Sequence, residues 1–384
     1  MRASEPQLRN PPPRNAHPVV PVTSVRASAY SVPTESPESD GTITWDTTTL
    51  VVVEVQGGGE RGLGYSYAAP AAARLVSDTL ARMVLGRDAL DTRGAWQAMV
   101  WSVRNIGRPG IASMAISAVD NALWDLKARL ARQPVYKLLG AVNESVLAYG
   151  SGGFTAYSIN TLCEQLRGWS DDGFAAVKMK VGREPGDDIR RVERARTAIG
   201  ASVELFVDAN GAYGRKQALA LAQPFADQGV TWFEEPVWHA DLDGLRLCRD
   251  RAPADMDVTM GEYCFQALDF RRLLEAGAVD VLQADATRCG GATGFLQADA
   301  LCEAFEVPLS SHCGPSLHAH LGCVAQRFVH AEYFFDHARI EQLLFEGAPR
   351  PRNGRLWPGG PGWGLAFKRV DAERYSVYDR SNVA

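Results

Sequence analysis

Three carboxylates close three successive apolar runs: Asp208 ends Glu204–Asp208, Glu234 sits near the end of Thr231–Glu235, and Glu262 ends Asp257–Glu262. Side by side in a partly dry site, three anions repel one another unless a cation neutralises them. Oxygen-only ligands suit a hard ion such as Mg²⁺, which takes a few carboxylates and completes its shell with water and substrate oxygens. Three unrelated salt-bridging acids would be the plainer reading, but their matched placement weighs against it. Lys178 and Lys180 lie two apart in Ala176–Val181, so on a strand they share a face. Two ammonium groups that close depress each other's pKa, burial adds to this, and a lysine tuned toward roughly 7–8 is a competent general base. Asp285 ends Val281–Asp285 and His312 ends Pro308–His312. An Asp beside a His fixes its tautomer and stabilises the imidazolium, making the His a proton donor or acceptor. A lone His is more often structural; the Asp one strand away favours chemistry.

What must position these groups is a repeating scaffold. Apolar runs begin at 146, 176, 204, 231, 257, 281, 308 and 331, spaced 23 to 30 residues apart, with helical stretches such as Ile189–Ile199 and Gln217–Gln228 between them. Strand–helix alternation means parallel strands, and eight such units are what a closed (β/α)₈ barrel needs. Polar residues at the C-terminal ends of the strands then gather at one mouth. Ahead of the barrel, Val25–Val32, Thr44–Gln56 and Gly62–Tyr67 read as strands, Ala71–Trp101 as helical, and Ile111–Arg132 as an amphipathic helix. The predicted organisation is a flexible Pro-rich leader over 1–21, an α+β capping domain over 22–144, the β/α barrel over 145–342, and a segment over 343–384 that returns to the cap. The polar stretch Pro33–Gly41 reads as a loop acting as a lid over the mouth.

Composition narrows the classes. The 384 residues carry 40 Lys+Arg against 45 Asp+Glu, a net charge of −5, with no basic block; this speaks against nucleic acid or an anionic membrane as partner. No apolar run approaches the roughly 18 residues of a membrane span. Seven cysteines without a Cys-x-x-Cys pair, and no signal peptide, predict reduced thiols in a cytoplasmic protein. Two motifs invite over-reading. Gly57-Gly58-Gly59-Glu60-Arg61-Gly62 matches a dinucleotide loop, but a returning strand follows it, so a hairpin turn is expected. His318 and His320 could suggest zinc with His312, yet no matching ligand set accompanies them.

These residues, in this order, resemble the enolase superfamily and within it the mandelate racemase subgroup. The resemblance runs over essentially 22–380 and rests on Val177-Lys178-Met179-Lys180, Val207-Asp208-Ala209-Asn210, Phe233-Glu234-Glu235-Pro236, Met260-Gly261-Glu262, Asp285 followed by Gly290-Gly291-Ala292-Thr293-Gly294, Ser310-Ser311-His312, and Glu332. It implies one Mg²⁺ per site on Asp208, Glu234 and Glu262, with Lys180 as base on one face of the substrate and Lys178 holding its carboxylate. It also implies His312, paired with Asp285, as the acid/base opposite, and Glu332 as a proton-sharing donor to the carboxylate. Asn210 and Ser151 are further candidates for substrate contact. The implied activity is removal of the proton α to a carboxylate through an enediolate. Dehydration of an acid sugar to a 2-keto-3-deoxy acid is the expected outcome, the polar lid suiting a polyol. Racemisation or epimerisation of a 2-hydroxy acid is the alternative, and a non-catalytic metal-binding barrel the remotest one. The expected partner is a small carboxylate, and the expected assembly a homo-oligomer.

Overall fold

A computed structural model describes residues 19–383. The predicted leader lies, except for 19–21, outside the described residues. Three antiparallel strands come first among the described residues: β1 (Val22–Ser39), β2 (Thr44–Gly57) and β3 (Glu60–Tyr67). The strand Ser376–Val383 pairs with the free edge of β1, completing a four-stranded sheet. Helix Ile111–Leu130 covers this sheet with a buried stripe that includes Ala115, Ala118, Ala122 and Leu126. The glycine run is the turn of the β2–β3 hairpin, Gly57 facing Glu60.

The stretch read as a lid loop is instead strand. β1 continues to Ser39, pairing with β2 out to Ser39↔Thr44 across a register slip between Pro33 and Glu38. Prolines and polar side chains imitate a loop, but an irregular ribbon absorbs them where ladder bonds are already missing. Nor is its end loose. Thr155 N donates to Ser39 O at 2.9 Å, Thr155 Oγ1 to Asp40 O at 2.8 Å, and Arg339 to Pro33 O at 2.7 Å. Gly41 lies so close to the barrel that a Cβ there would sit 2.6 Å from Ala209 O and 2.7 Å from Val181 O.

Eight parallel strands follow: β4 (Val146–Gly152), β5 (Ala176–Lys180), β6 (Glu204–Asp208), β7 (Val230–Glu234), β8 (Asp257–Met260), β9 (Val281–Ala284), β10 (Leu309–Ser311) and β11 (Ala331–Phe334). They pair in the order β10-β9-β8-β7-β6-β5-β4-β11. The bridge Leu309↔Phe328, with Ser311 N donating to His330 O, brings the two ends together and closes the barrel. Its N-terminal end is plugged by Tyr149, Ala176, Phe206, Trp232 and Val281, Phe206 stacking on Trp232 at 5.0 Å. The C-terminal segment divides its contacts: Arg355–Leu356 pairs with β4 of the barrel, while Phe367 packs on Tyr30, Arg369 pairs with Glu54, and Ser376–Val383 pairs with β1 of the cap sheet.

Candidate active site

The cap helix fixes the loop after β9. Asn121 Nδ2 donates to Ala286 O, its Oδ1 accepts from Ala292 N, Asp120 accepts from Thr293, and Ser117 Oγ accepts from Gly290 N. Register does the same inside the barrel, setting Lys180 beside Asp208 and Asp208 beside Glu234. Glu262 arrives one residue past Gly261, whose φ of 154° brings it against the backbone of Gln283, where a side chain would not fit.

Asp208, Glu234 and Glu262, all buried, each offer a carboxylate oxygen within 4.8 Å of the others. Glu234 Oε1 and the nearby Asn210 Oδ1 are buried without a hydrogen-bond partner, while Asn210 N donates to Asp208 Oδ1 at 2.8 Å. Orphaned oxygens in a converging acidic set fit a hard divalent cation. His312, Cys313 and Glu332 form a second close trio, but Glu332 is already taken. It accepts from Ser151 Oγ at 2.6 Å and Cys313 N at 2.7 Å, and pairs with Lys178 at 2.8 Å.

Lys178 Nζ, fully buried, lies 2.6 Å from Glu234 Oε2 and 3.8 Å from Asp208; Lys180 Nζ lies 2.5 Å from Asp208 Oδ2. Both face inward. Their charge does not follow the expectation of mutual depression. Burial lowers both, but for Lys178 the carboxylates of Glu234 and Glu332 outweigh it, and for Lys180 that of Asp208, leaving both ammoniums above the usual lysine range. The nearest neighbours of each lysine are acids, which pair analysis of the two lysines alone omits. Burial and Asp208 push Glu234 up to about 7.

His312 Nδ1 bonds Asp285 Oδ2 at 2.8 Å, and its Nε2 lies 3.3 Å from Glu262 Oε2. Burial opposes its charge, but Glu262 and Asp285 hold its pKa above the usual value. Asp285 stays below the carboxylate range because its bond to His312 overcomes burial. Glu332 is likewise held well below that range, burial being overcome chiefly by Lys178. In this arrangement it accepts hydrogen bonds from Ser151 and Cys313 N and pairs with Lys178.

Three residues escaped the sequence reading. Arg288 bridges the two halves of the site, with Nη1 3.1 Å from Glu262 and Nε 3.6 Å from Asp285. Its one signal was an arginine three residues after Asp285. Glu235, within the quoted Glu-Glu-Pro, is buried with Oε1 unpartnered, and burial with the Glu262 charge drives its pKa well up. Cys313 follows His312 at φ 50° with Sγ 3.3 Å from His312 Nε2. His318 and His320 are spent on backbone: His318 bridges Cys313 O and Ala286 N, and His320 meets Trp363 O.

The mouth encloses a cavity of about 370 Å³ bounded by Lys180, His312 and Glu262 on the barrel side and Ile43, Trp45 and Thr47 on the cap side. The polar residues of 34–39 do not line it; Asp40 does. Of the polar stretch read as a lid only Asp40 reaches the cavity; the hydroxyls that face it from the cap are those of Thr47, Thr48 and Thr49 on β2.

Residues 23–140 match the mandelate racemase/muconate lactonizing enzyme N-terminal domain, and 161–371 the enolase C-terminal domain-like family. A solved mandelate racemase/muconate lactonizing enzyme-like protein from Rubrobacter xylanophilus is 50% identical, with a TM-score of 0.91 over 93% of this chain and 100% of that one. A 3,6-anhydro-α-L-galactonate cycloisomerase from Streptomyces coelicolor is 34% identical over 84% of this chain and 91% of its own length. An L-talarate dehydratase from Polaromonas sp., solved with Mg and L-glucarate, is 30% identical, with a TM-score of 0.87 over 95% and 100% of the two chains.

Proposed function

Because this chain belongs to the mandelate racemase/muconate lactonizing enzyme family of the enolase superfamily, we propose that it is an acid-sugar dehydratase acting through Lys180 and His312. The observation that carries this reading is the flanking of one carboxylate trio by two proton carriers. Lys180 approaches from the Asp208 side and His312 from the Glu262 side. A Mg²⁺ on Asp208, Glu234 and Glu262 would supply charge for the dianion that develops as the α-proton leaves, and would relieve Lys180 of its pairing with Asp208.

Lys180 Nζ takes the C2 proton. His312 Nε2, its imidazolium stabilised by Asp285, gives a proton to the C3 hydroxyl, which leaves as water; the resulting enol tautomerises to a 2-keto-3-deoxy acid. Lys178 holds the substrate carboxylate while Glu332 and Ser151 orient Lys178. Asn210 Oδ1 and Arg288 complete the polar rim.

One observation favours a second reading, racemisation of a 2-hydroxy acid. Ile43, Trp45 and Phe334 line part of the cavity beside Thr47, Thr48 and Thr49, an apolar patch that suits a less hydroxylated acid. Proton NMR in D₂O with Mg²⁺, over mono- and diacid sugars and simple 2-hydroxy acids, separates the two. A new 3-deoxy methylene means dehydration. Deuterium at C2 with water retained means racemisation or epimerisation and overturns the dehydratase reading.

A further inference from the structure

The cavity carries its positive charge at one end only. Among its described lining residues the cations are Lys180, Arg288 and, when protonated, His312. All three sit at the reactive end and are engaged, Lys180 by Asp208, Arg288 and His312 by Glu262 and Asp285. The cap ribbon lines the opposite side, the far wall, with Ile43, Trp45, Thr47, Thr48 and Thr49, while Phe334 belongs nearer the reactive end, its ring centre 5.9 Å from Lys180 Nζ. Trp45 spends its indole N–H on Glu38 at 2.9 Å and packs edge-on against Phe154 at 5.6 Å and 89°, so its position is set before any ligand enters. Asp40 adds an anion, its Oδ1 accepting from Thr42 N and Ile43 N. His337, stacked on Tyr67, is held neutral by burial.

We propose that the substrate is a monocarboxylate with an uncharged far end, and that this wall rejects a second carboxylate. The inference rests on the dehydratase reading for the reactive end alone. A ligand carboxylate set against Ile43, Trp45 and Asp40 would lose hydration without gaining a cation. A terminal hydroxymethyl or ring C–H face loses little there, and Thr47 offers it a hydroxyl.

The test compares kcat/KM for an aldonate and the aldarate of the same length and configuration, and their binding by calorimetry to Mg²⁺-loaded Lys180→Ala, which should turn over neither. The monoacid should lead by at least about tenfold in both measurements. Ile43→Lys, at a side chain 60% exposed, places a cation on the far wall and should shrink that lead at least about tenfold. Equal or better use of the diacid by the wild type, or no change of ratio in Ile43→Lys, overturns the proposal. If the wild type turns over neither acid while Lys180→Ala still binds the monoacid better, it is the assigned reaction that fails and not the assignment of the wall.

Discussion

The two ends of the barrel interior are built from the same strands and differ in almost everything else. β5 carries Ala176 at the plug and Lys178 above it; β6 carries Phe206 and then Asp208; β7 carries Trp232 and then Glu234. Two residues along a strand, about 6.6 Å, separate a layer of packed rings from a layer of buried charge. The layers also touch: Trp232 Nε1 donates to Glu234 Oε2 at 3.0 Å, and Lys178 lies 5.3 Å from the Tyr149 ring centre. The plug therefore works as a dry, rigid floor. It keeps water from the undersides of Lys178 and Glu234, so that their charges act on each other and on whatever enters from above.

The contrast can be broken from either side. Asp208→Asn should have the largest effect, abolishing Mg²⁺ binding in calorimetry and lowering turnover by about 10³ or more; retained metal affinity would remove Asp208 from the proposed ligand set. Lys180→Ala should lower C2 proton exchange by about 10²–10⁴ yet leave Mg²⁺ affinity equal or tighter, since it removes a cation from Asp208. Phe206→Ala strikes the floor. It should cost about 3–5 kcal/mol in urea unfolding while the folded fraction still binds Mg²⁺. The smallest effect belongs to Glu38 beneath Trp45. Burial, with Asp336 nearby, pushes its pKa up to about 8. A carboxyl whose pKa rises on folding stabilises fully below its unfolded value near 4.5, and that contribution fades as pH climbs through 8. The melting temperature should fall over that window, and less so in Glu38→Gln.

The charged layer was legible because chemistry sits at one phase of a repeating unit. Apolar runs deliver titratable residues at or near their ends to the same mouth, so Asp208, Glu234, Asp285 and His312 could be named from position. Arg288, Glu235 and Cys313 lie one to four residues beyond their strands, in loops whose paths depend on tertiary contacts such as Asn121 with Ala292. The far wall was hidden for a related reason. Composition shows that 33–41 is polar, but which ribbon residues face the cavity depends on a register slip between Pro33 and Glu38 and on where the cap docks. The direction of the lysine pKa values was missed because it depends on neighbours from four other strands.

The pairing of β1 with Ser376–Val383 has a consequence for how the protein is made. Arg26 and Asp379, an ion pair across those two strands, are 353 residues apart. On the ribosome the first three strands can form their meander early, but β1 keeps an open edge throughout synthesis of the barrel. Such an edge is a template for pairing with another nascent chain. Its proper partner emerges only after the whole barrel has been made, so the cap sheet waits on the barrel to close its edge.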